Sequence, residues 1–357
     1  MRITANQLTT ARLLLIPLLT AALYAGEEYW GVLLCLGVLI GCTDFVDGYL
    51  ARKHGTSVLG GLLDPIADKV FVVVAYIPYV DFGWAPWWLI APIFLREFLV
   101  TALRSSFEMR GLNLPSGYLA KIKTWVQMVG IGLLMLMLVI KADWIMYAVL
   151  GFFWGISAGG WILYKVLGKG SWRGGVAGIL CFGVGLLLYA ATGLSGFPTV
   201  VFALVMIFTW VSAIDYLRTG LRLLTQPSPL WAFDLARVFG AITVPLIGMA
   251  TLAHIDLVWV LIALLAIEVA HVGLDNLLAH HRVAASAVTW GVRIIILDAL
   301  LIAALLLPPL WNDVCVSLAA TVGWLAAGAA FFKHRQLYIG AQAATAKTSQ
   351  PVRVTSL

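Results

Sequence analysis

Charge is scarce in this chain. Only 11% of its 357 residues are Asp, Glu, Lys or Arg, against about a quarter in an ordinary soluble domain. That excludes a water-soluble fold. With 62% hydrophobic residues and a mean hydropathy of +0.98, it marks a polytopic membrane protein. Cysteine is scarce as well. Cys35, Cys42, Cys181 and Cys315 lie far apart, in or beside apolar runs, with no C-x-x-C pair and no Cys/His cluster. Neither a disulfide framework nor a thiolate metal site is therefore expected. Acidic residues number 17 against 23 basic ones, a net charge of +6. In a membrane protein such an excess reports orientation first, and no nucleic-acid partner is expected. Arg12 splits the first apolar run, and a second run follows directly. The first run is expected to be a span rather than a leader.

What is abundant is apolar runs of membrane-crossing length, roughly 20 residues. They fall near 8–25, 29–52, 62–80, 86–104, 120–140, 143–165, 173–192, 197–217, 232–252, 256–275, 286–306 and 313–333. The expected fold is all-α, a polytopic transmembrane helical bundle of about twelve helices. The connecting segments alternate in charge. One set carries Arg2, Lys53, Arg110, Lys169, Arg173, Arg218, Arg222, Arg282, Lys333 and Arg335. The other carries Glu27, Glu28, Asp81, Asp143, Asp256 and Asp313, with Lys141 as its lone base. Basic loops stay on the cytoplasmic side. Both termini and the loop at 53–61 are expected there, in a protein of the cytoplasmic (inner) membrane. The polar tail at 341–357 reads as disordered.

One stretch breaks the apolar pattern: TDFVDGYLARKHGTSVLGGLLDPIADK, residues 43–69. Asp44, Asp47, Gly48 and Ala51 stand at i, i+3, i+4 and i+7, one face of a helix. Asp64 and Asp68 stand at i, i+4 on a second helix, with Pro65 placed where that helix can begin. Gly60 and Gly61 just before them allow close backbone approach. A lone D-x-x-D is an ordinary cap or salt-bridge partner. Four carboxylates at membrane depth each cost at least ~2.5–3.5 kcal/mol and repel one another. Divalent cations relieve both problems, since hard ions such as Mg2+ take carboxylate and phosphate oxygens together. Two such ions can clamp a phosphoryl displacement. The bare patch at Gly48 and Ala51 leaves room for a base or a phosphate.

The pattern D-x-x-D-G-x-x-A-R followed by G-x-x-x-D-x-x-x-D resembles the signature of the CDP-alcohol phosphatidyltransferase family, here Asp44, Asp47, Gly48, Ala51, Arg52, Gly60, Asp64 and Asp68. The loop between the halves is shorter than the family's usual one, with seven residues between Arg52 and Gly60. The resemblance implies that Asp44, Asp47, Asp64 and Asp68 hold the metal, Mg2+ or Mn2+, as two ions. It implies that Asp68 also takes the proton of the attacking hydroxyl. It places Asn6, Thr9, Asp47, Gly48, Ala51, Arg52 and Gly60 against CDP-diacylglycerol, with CMP as leaving group.

The segment ITANQLTTARLLLIPLL at 3–19 and the segment REFLVTALRSSFEMRGLNLPSGYLAKIKTWVQM at 96–128 resemble the phosphatidylglycerophosphate-forming branch of that family, with A-K-I-K-T in place of the usual G-K-x-K-T. The second segment supplies Arg96, Arg104, Arg110, Lys121 and Lys123, candidates for the phosphate of an anionic acceptor such as glycerol 3-phosphate. Interfacial snorkelling would explain the same bases without a ligand. Lys121 and Lys123 diverge on a regular helix, so one is expected to meet lipid headgroups. Other acceptors of the same chemistry are phosphatidylglycerol, an inositol phosphate or serine. A non-enzymatic transporter or scaffold is the reading from another class.

The resemblance covers 1–140, and 201–220 resembles the family's last helix. The expected organisation is a catalytic membrane domain at 1–220 with a two-helix insertion at 143–192, then an added four-helix membrane domain at 221–340. TARLLLIPL at 10–18 compares with LARVFGAITVPL at 235–246, and DGYLARKH at 47–54 with DNLLAHHR at 275–282. The added domain reads either as a degenerate second copy without the carboxylates or as apolar helices ending in basic residues that match by chance. Family members dimerise, so a homodimer or an internal pseudo-dimer is expected, surrounded by membrane lipids.

Overall fold

The computed structural model describes residues 5–54, 58–112, 118–140, 142–168, 170–224, 231–283 and 286–339. The described residues form helices and short connections, without strands. In chain order they are α1 (Ala5–Tyr24), α2 (Trp30–His54), α3 (Val58–Asp81), α4 (Trp87–Met109), α5 (Tyr118–Val139), α6 (Asp143–Val166), α7 (Arg173–Val211), α8 (Ile214–Leu224), α9 (Trp231–Thr251), α10 (Val258–His280), α11 (Ala287–Leu306), α12 (Pro309–Lys333) and α13 (Arg335–Ile339). The polytopic helical bundle expected from hydropathy is the fold observed. The tail after residue 339 lies outside the described residues.

Among the described residues, eight helices are long and apolar enough to cross a membrane. A spanning segment must satisfy its own backbone, and a helix does so internally. α3 and α4 fall outside the eight, because α3 carries Asp64, Asp68 and Lys69 and α4 carries Arg96, Glu97 and Arg104. The runs expected at 173–192 and 197–217 are the two halves of α7, which a kink separates at Gly193, whose φ of 65° and ψ of −172° are not helical. Only glycine takes that conformation at low cost. The first half of α7 packs on α6 and its second half on α4 and α5. The chain then turns into α8, a short amphipathic helix rather than the end of a span.

α3 also begins earlier than its apolar run, at Val58. Pro65 therefore lies inside the helix instead of at its start. It removes one amide donor and leaves the Gly61 carbonyl without its helical partner. Gly61 has open space around it.

α1 packs against both α2 and α3, and α5 lies along α2 and α7. The last four long helices build onto this unit through α3 and α4: α9 lies on α4, and α10 lies on α3 and α4. Gly273 of α10 permits this approach, since a Cβ there would stand 2.8 Å from Ile66. α11 and α12 cover the far side of α9 and α10. Between the two units runs an apolar groove of about 910 Å3, lined by α1, α3, α10 and α12. Leu62, Ile66, Val70 and Val74 form its α3 wall, on the face of that helix turned away from Asp64 and Asp68.

Candidate active site

The site is built at one end of the bundle, where the start of α1, the end of α2, the start of α3, the end of α4 and the start of α5 meet. Antiparallel neighbours joined by short connections bring these ends to one level. Asp44, Asp47, Gly48, Ala51 and Arg52 all fall within α2, so the face-sharing spacing acts on a real helix. Their side chains lie outside the described residues.

The second carboxylate pair is described. Asp64 accepts a hydrogen bond from the Thr9 hydroxyl at 2.5 Å. Asp68 receives Arg12 Nη1 at 2.8 Å. Both donors come from α1 and both are buried, Arg12 to 1% exposure and Thr9 to 0%. The Asp68 side chain is 44% exposed. α1 thus holds the two carboxylates of α3 in place while leaving them accessible. Asn6 lies one turn before Thr9, and its carbonyl accepts from Thr10. Gly60 is buried one turn before Asp64.

Asp68 also lines a cavity of about 320 Å3 between α3, α4, α5 and α8. Of the predicted acceptor-site bases, Arg96, Arg104, Lys121 and Lys123 all reach its wall. Arg110 does not. It caps the end of α4 and pairs with Asp234 of α9. Lys121 and Lys123 do diverge, but both touch the cavity at different depths. Lys121 is exposed at the rim, and Lys123 is buried with its ammonium on Glu97.

The inner wall is a network. Glu97 takes Lys123 at 2.5 Å and Arg96 at 3.2 Å. Arg96 also donates to the Thr209 carbonyl at 3.1 Å and the Ser212 hydroxyl at 2.9 Å. Such buried charges persist only when paired and hydrogen-bonded. The outer wall is looser: Arg104 donates to the Tyr216 hydroxyl at 3.1 Å and its own helix leaves it exposed. Lys69, Thr101, Gln127 and Tyr216 complete the lining, with Lys69 donating to Thr101 at 2.5 Å. Sequence reasoning did not assign these four or Glu97. The signal for Lys69 and Glu97 was present, because an ionisable side chain at membrane depth is functional by default. Tyr216 arrives from α8, far away in sequence.

Five bases and two carboxylates line this cavity, an excess of three positive charges. Such a wall favours a multiply charged anion. Asp64 and Asp68 supply hard oxygen donors at i, i+4, partly exposed and held from behind, which suits a divalent cation. Among the described residues no group of three acidic, His or Cys side chains converges on one point. The other half of the predicted ligand set, Asp44 and Asp47, falls outside that description.

Residues 2–155 match the model of the CDP-alcohol phosphatidyltransferase family. The chain is 37% identical over 146 residues to the CDP-diacylglycerol–glycerol-3-phosphate 3-phosphatidyltransferase of Bacillus subtilis (strain 168), covering 37% of this chain and 75% of that protein. The chain belongs to the CDP-alcohol phosphatidyltransferase family. It is a phosphatidyltransferase of phospholipid biosynthesis and an integral membrane enzyme. A probable phosphatidylglycerophosphate synthase of Mycobacterium tuberculosis (strain H37Rv) is 39% identical over 141 residues, covering 37% of this chain and 65% of that protein. The CDP-diacylglycerol–glycerol-3-phosphate 3-phosphatidyltransferase of Blochmanniella floridana is 35% identical over 132 residues, covering 35% and 68%. No solved structure matches the phosphatidyltransferase. The family match ends inside α6, so α7 to α13 of this enzyme lie beyond it.

Proposed function

We propose that the enzyme transfers the phosphatidyl group of CDP-diacylglycerol to glycerol 3-phosphate, forming phosphatidylglycerophosphate and releasing CMP. The observation that carries this reading is the charge of the cavity beside Asp68: five bases against two carboxylates. An acceptor bearing a phosphate monoester needs such a wall, whereas serine or a neutral polyol does not. The names of the relatives in Bacillus subtilis and Blochmanniella floridana, which specify glycerol 3-phosphate, point the same way.

In this reading Arg104 and Lys121 take the acceptor's phosphate at the rim, Arg as a two-pronged donor and Lys as a point charge. Arg96 and Lys123, locked on Glu97, shape the inner wall and keep it positive. The acceptor's hydroxyl then lies near Asp68, which Arg12 orients. The hydroxyl oxygen bonds to the phosphorus that carries diacylglycerol, the bond from that phosphorus to the CMP oxygen breaks, and the hydroxyl proton passes to Asp68. Asn6, Thr9, Gly48, Ala51, Arg52 and Gly60 form the side that receives the nucleotide. Asp44, Asp47, Asp64 and Asp68 would hold two divalent cations, Mg2+ or Mn2+. When bound, these supply positive charge to the pyrophosphate oxygens. The basic loops support a cytoplasmic position for this end of the bundle and for both termini, in the cytoplasmic membrane.

The test is acceptor choice. Purified full-length protein and labelled CDP-diacylglycerol are incubated with glycerol 3-phosphate, phosphatidylglycerol, an inositol phosphate or serine, and CMP release is measured. Release with glycerol 3-phosphate is expected. Release only with a non-phosphorylated alcohol would overturn the reading.

A further inference from the structure

The helices beyond the family match hold a second polar cavity. It measures about 250 Å3 and lies between α10, α11 and α12. Its position is at the same end of the bundle as Asp64 and Asp68, because Leu274 and Leu278 of α10 pack on Leu62 and Ile66 of α3. The floor is formed by His271, Asp275 and Arg293, and the mouth by Thr289, Lys333 and His334.

The floor has donor capacity that the protein does not use. Arg293, 6% exposed, gives Nη1 to both oxygens of Glu268 at 2.6 and 2.5 Å. Its Nε and Nη2 are buried and have no hydrogen-bond partner. A guanidinium can only donate, so what completes it must be an acceptor. His271, 8% exposed, likewise has an unpartnered buried Nδ1. Asp275 is no competitor for an anion, since Arg237 holds both its oxygens at 2.8 and 2.9 Å. The mouth adds positive charge. Lys333 ends α12, and no carboxylate among the described residues pairs with it. α11 begins at the mouth with Ser286 as its cap, so the positive end of a 20-residue helix faces the same space. Buried donors without acceptors are rare in native proteins and costly. A cavity of this size at a membrane-surface depth fits a headgroup, not a hydrocarbon chain.

We propose that this cavity binds a phosphoryl group, either the headgroup phosphate of an anionic phospholipid or a soluble phosphate. It is a site separate from the one at Asp68. Arg293 and His271 receive the oxygens at the bottom, and Lys333 and Thr289 close on them from the mouth.

The experiment uses the full chain in dodecyl maltoside micelles, which carry no phosphate. An Arg104→Gln/Lys121→Gln background blunts any response of the first cavity. The thermal unfolding midpoint is followed in two arms, with sodium phosphate against sodium chloride at equal ionic strength, and with added phosphatidylglycerol against an uncharged lipid-free control. A rise of roughly 3–6 °C at a hundredfold excess over Kd is expected in at least one arm. A response to phosphate alone identifies a soluble ligand, and a response to phosphatidylglycerol alone identifies a lipid. Lys333→Gln with Thr289→Val alters only exposed mouth residues and should weaken apparent affinity roughly tenfold or more. Arg293→Gln with Glu268→Gln, which removes the buried pair together, should abolish the rise. No rise in either arm, or an equal rise in the mouth variant, overturns the proposal.

Discussion

Arg12 and Arg237 invite comparison. Each lies about two turns into the first long helix of its unit, each is 1% exposed, and each pairs with an aspartate. The similarity ends at the partner. Arg12 gives one hydrogen bond to Asp68, whose side chain remains 44% exposed beside a positively lined cavity. Arg237 grips Asp275 through two bonds, stacks its guanidinium 3.8 Å from the Phe233 ring centroid, and lies 3.6 Å from Asp234. The Asp275 side chain is only 4% exposed. The same two residue types thus serve as a poised group in one unit and a sealed strut in the other. What distinguishes them is how much of the carboxylate is left facing the solvent side, not the presence of a charge in the membrane.

The comparison breaks most decisively at Asp68. Asp68→Asn keeps the shape and a hydrogen-bonding group for Arg12 but removes the basic oxygen. CMP release is expected to fall roughly a thousandfold or more, while the thermal midpoint moves little. Asp64→Asn and chelation of divalent ions should each give a comparable loss of activity. An Asp68→Asn enzyme with near-normal turnover would place the chemistry elsewhere.

Arg237→Gln is the counterpart in the second unit. It leaves Asp275 buried and unpaired, which typically costs ~3–5 kcal/mol of stability. The midpoint should drop sharply, yet the fraction that remains folded should keep its KM for glycerol 3-phosphate. Replacing both partners, Arg237→Met with Asp275→Leu, should recover most of the loss. If Arg237→Gln instead removed turnover without lowering the midpoint, the second unit would take part in the reaction.

The cavity wall sharpens the picture at lower amplitude. Arg104→Gln is expected to raise KM for glycerol 3-phosphate roughly tenfold or more, with kcat reduced less, because a charge-assisted contact to phosphate is lost. Arg110→Gln is the control from the same helix. Its side chain bonds Asp234 across the two units, so it should lower stability and leave KM alone.

Much of this was legible beforehand because it rests on local rules. Hydropathy located the helices, and i, i+3, i+4 spacing put the carboxylates on shared faces. The loss of legibility follows sequence distance. Arg110 resembles its neighbour Arg104 in every local respect, and only Asp234, placed beside it by the packing of α9 on α4, separates them. Tyr216 joins the cavity because α8 turns back at the end of α7, which no period in the sequence announces. Pro65 misleads for a different reason. A proline suits a helix start, but the helix had already begun at Val58.

The smallest effect is also the most discriminating between Lys121 and Lys123. Lys123 is buried, and its ammonium is held by Glu97 within a network that includes Arg96. Lys123→Met should therefore destabilise, though by less than the loss of a sole partner would, because Arg96 still reaches Glu97 at 3.2 Å. Lys121 stands exposed at the rim, where screening leaves a single charge with a small contribution. Lys121→Gln should raise KM for glycerol 3-phosphate only about two- to fivefold, with a larger effect at low ionic strength than at high. The salt dependence is the deciding measurement. A KM change that persists undiminished at high salt would mean that the rim closes over the substrate when it binds and shields the contact between Lys121 and the acceptor's phosphate from solvent.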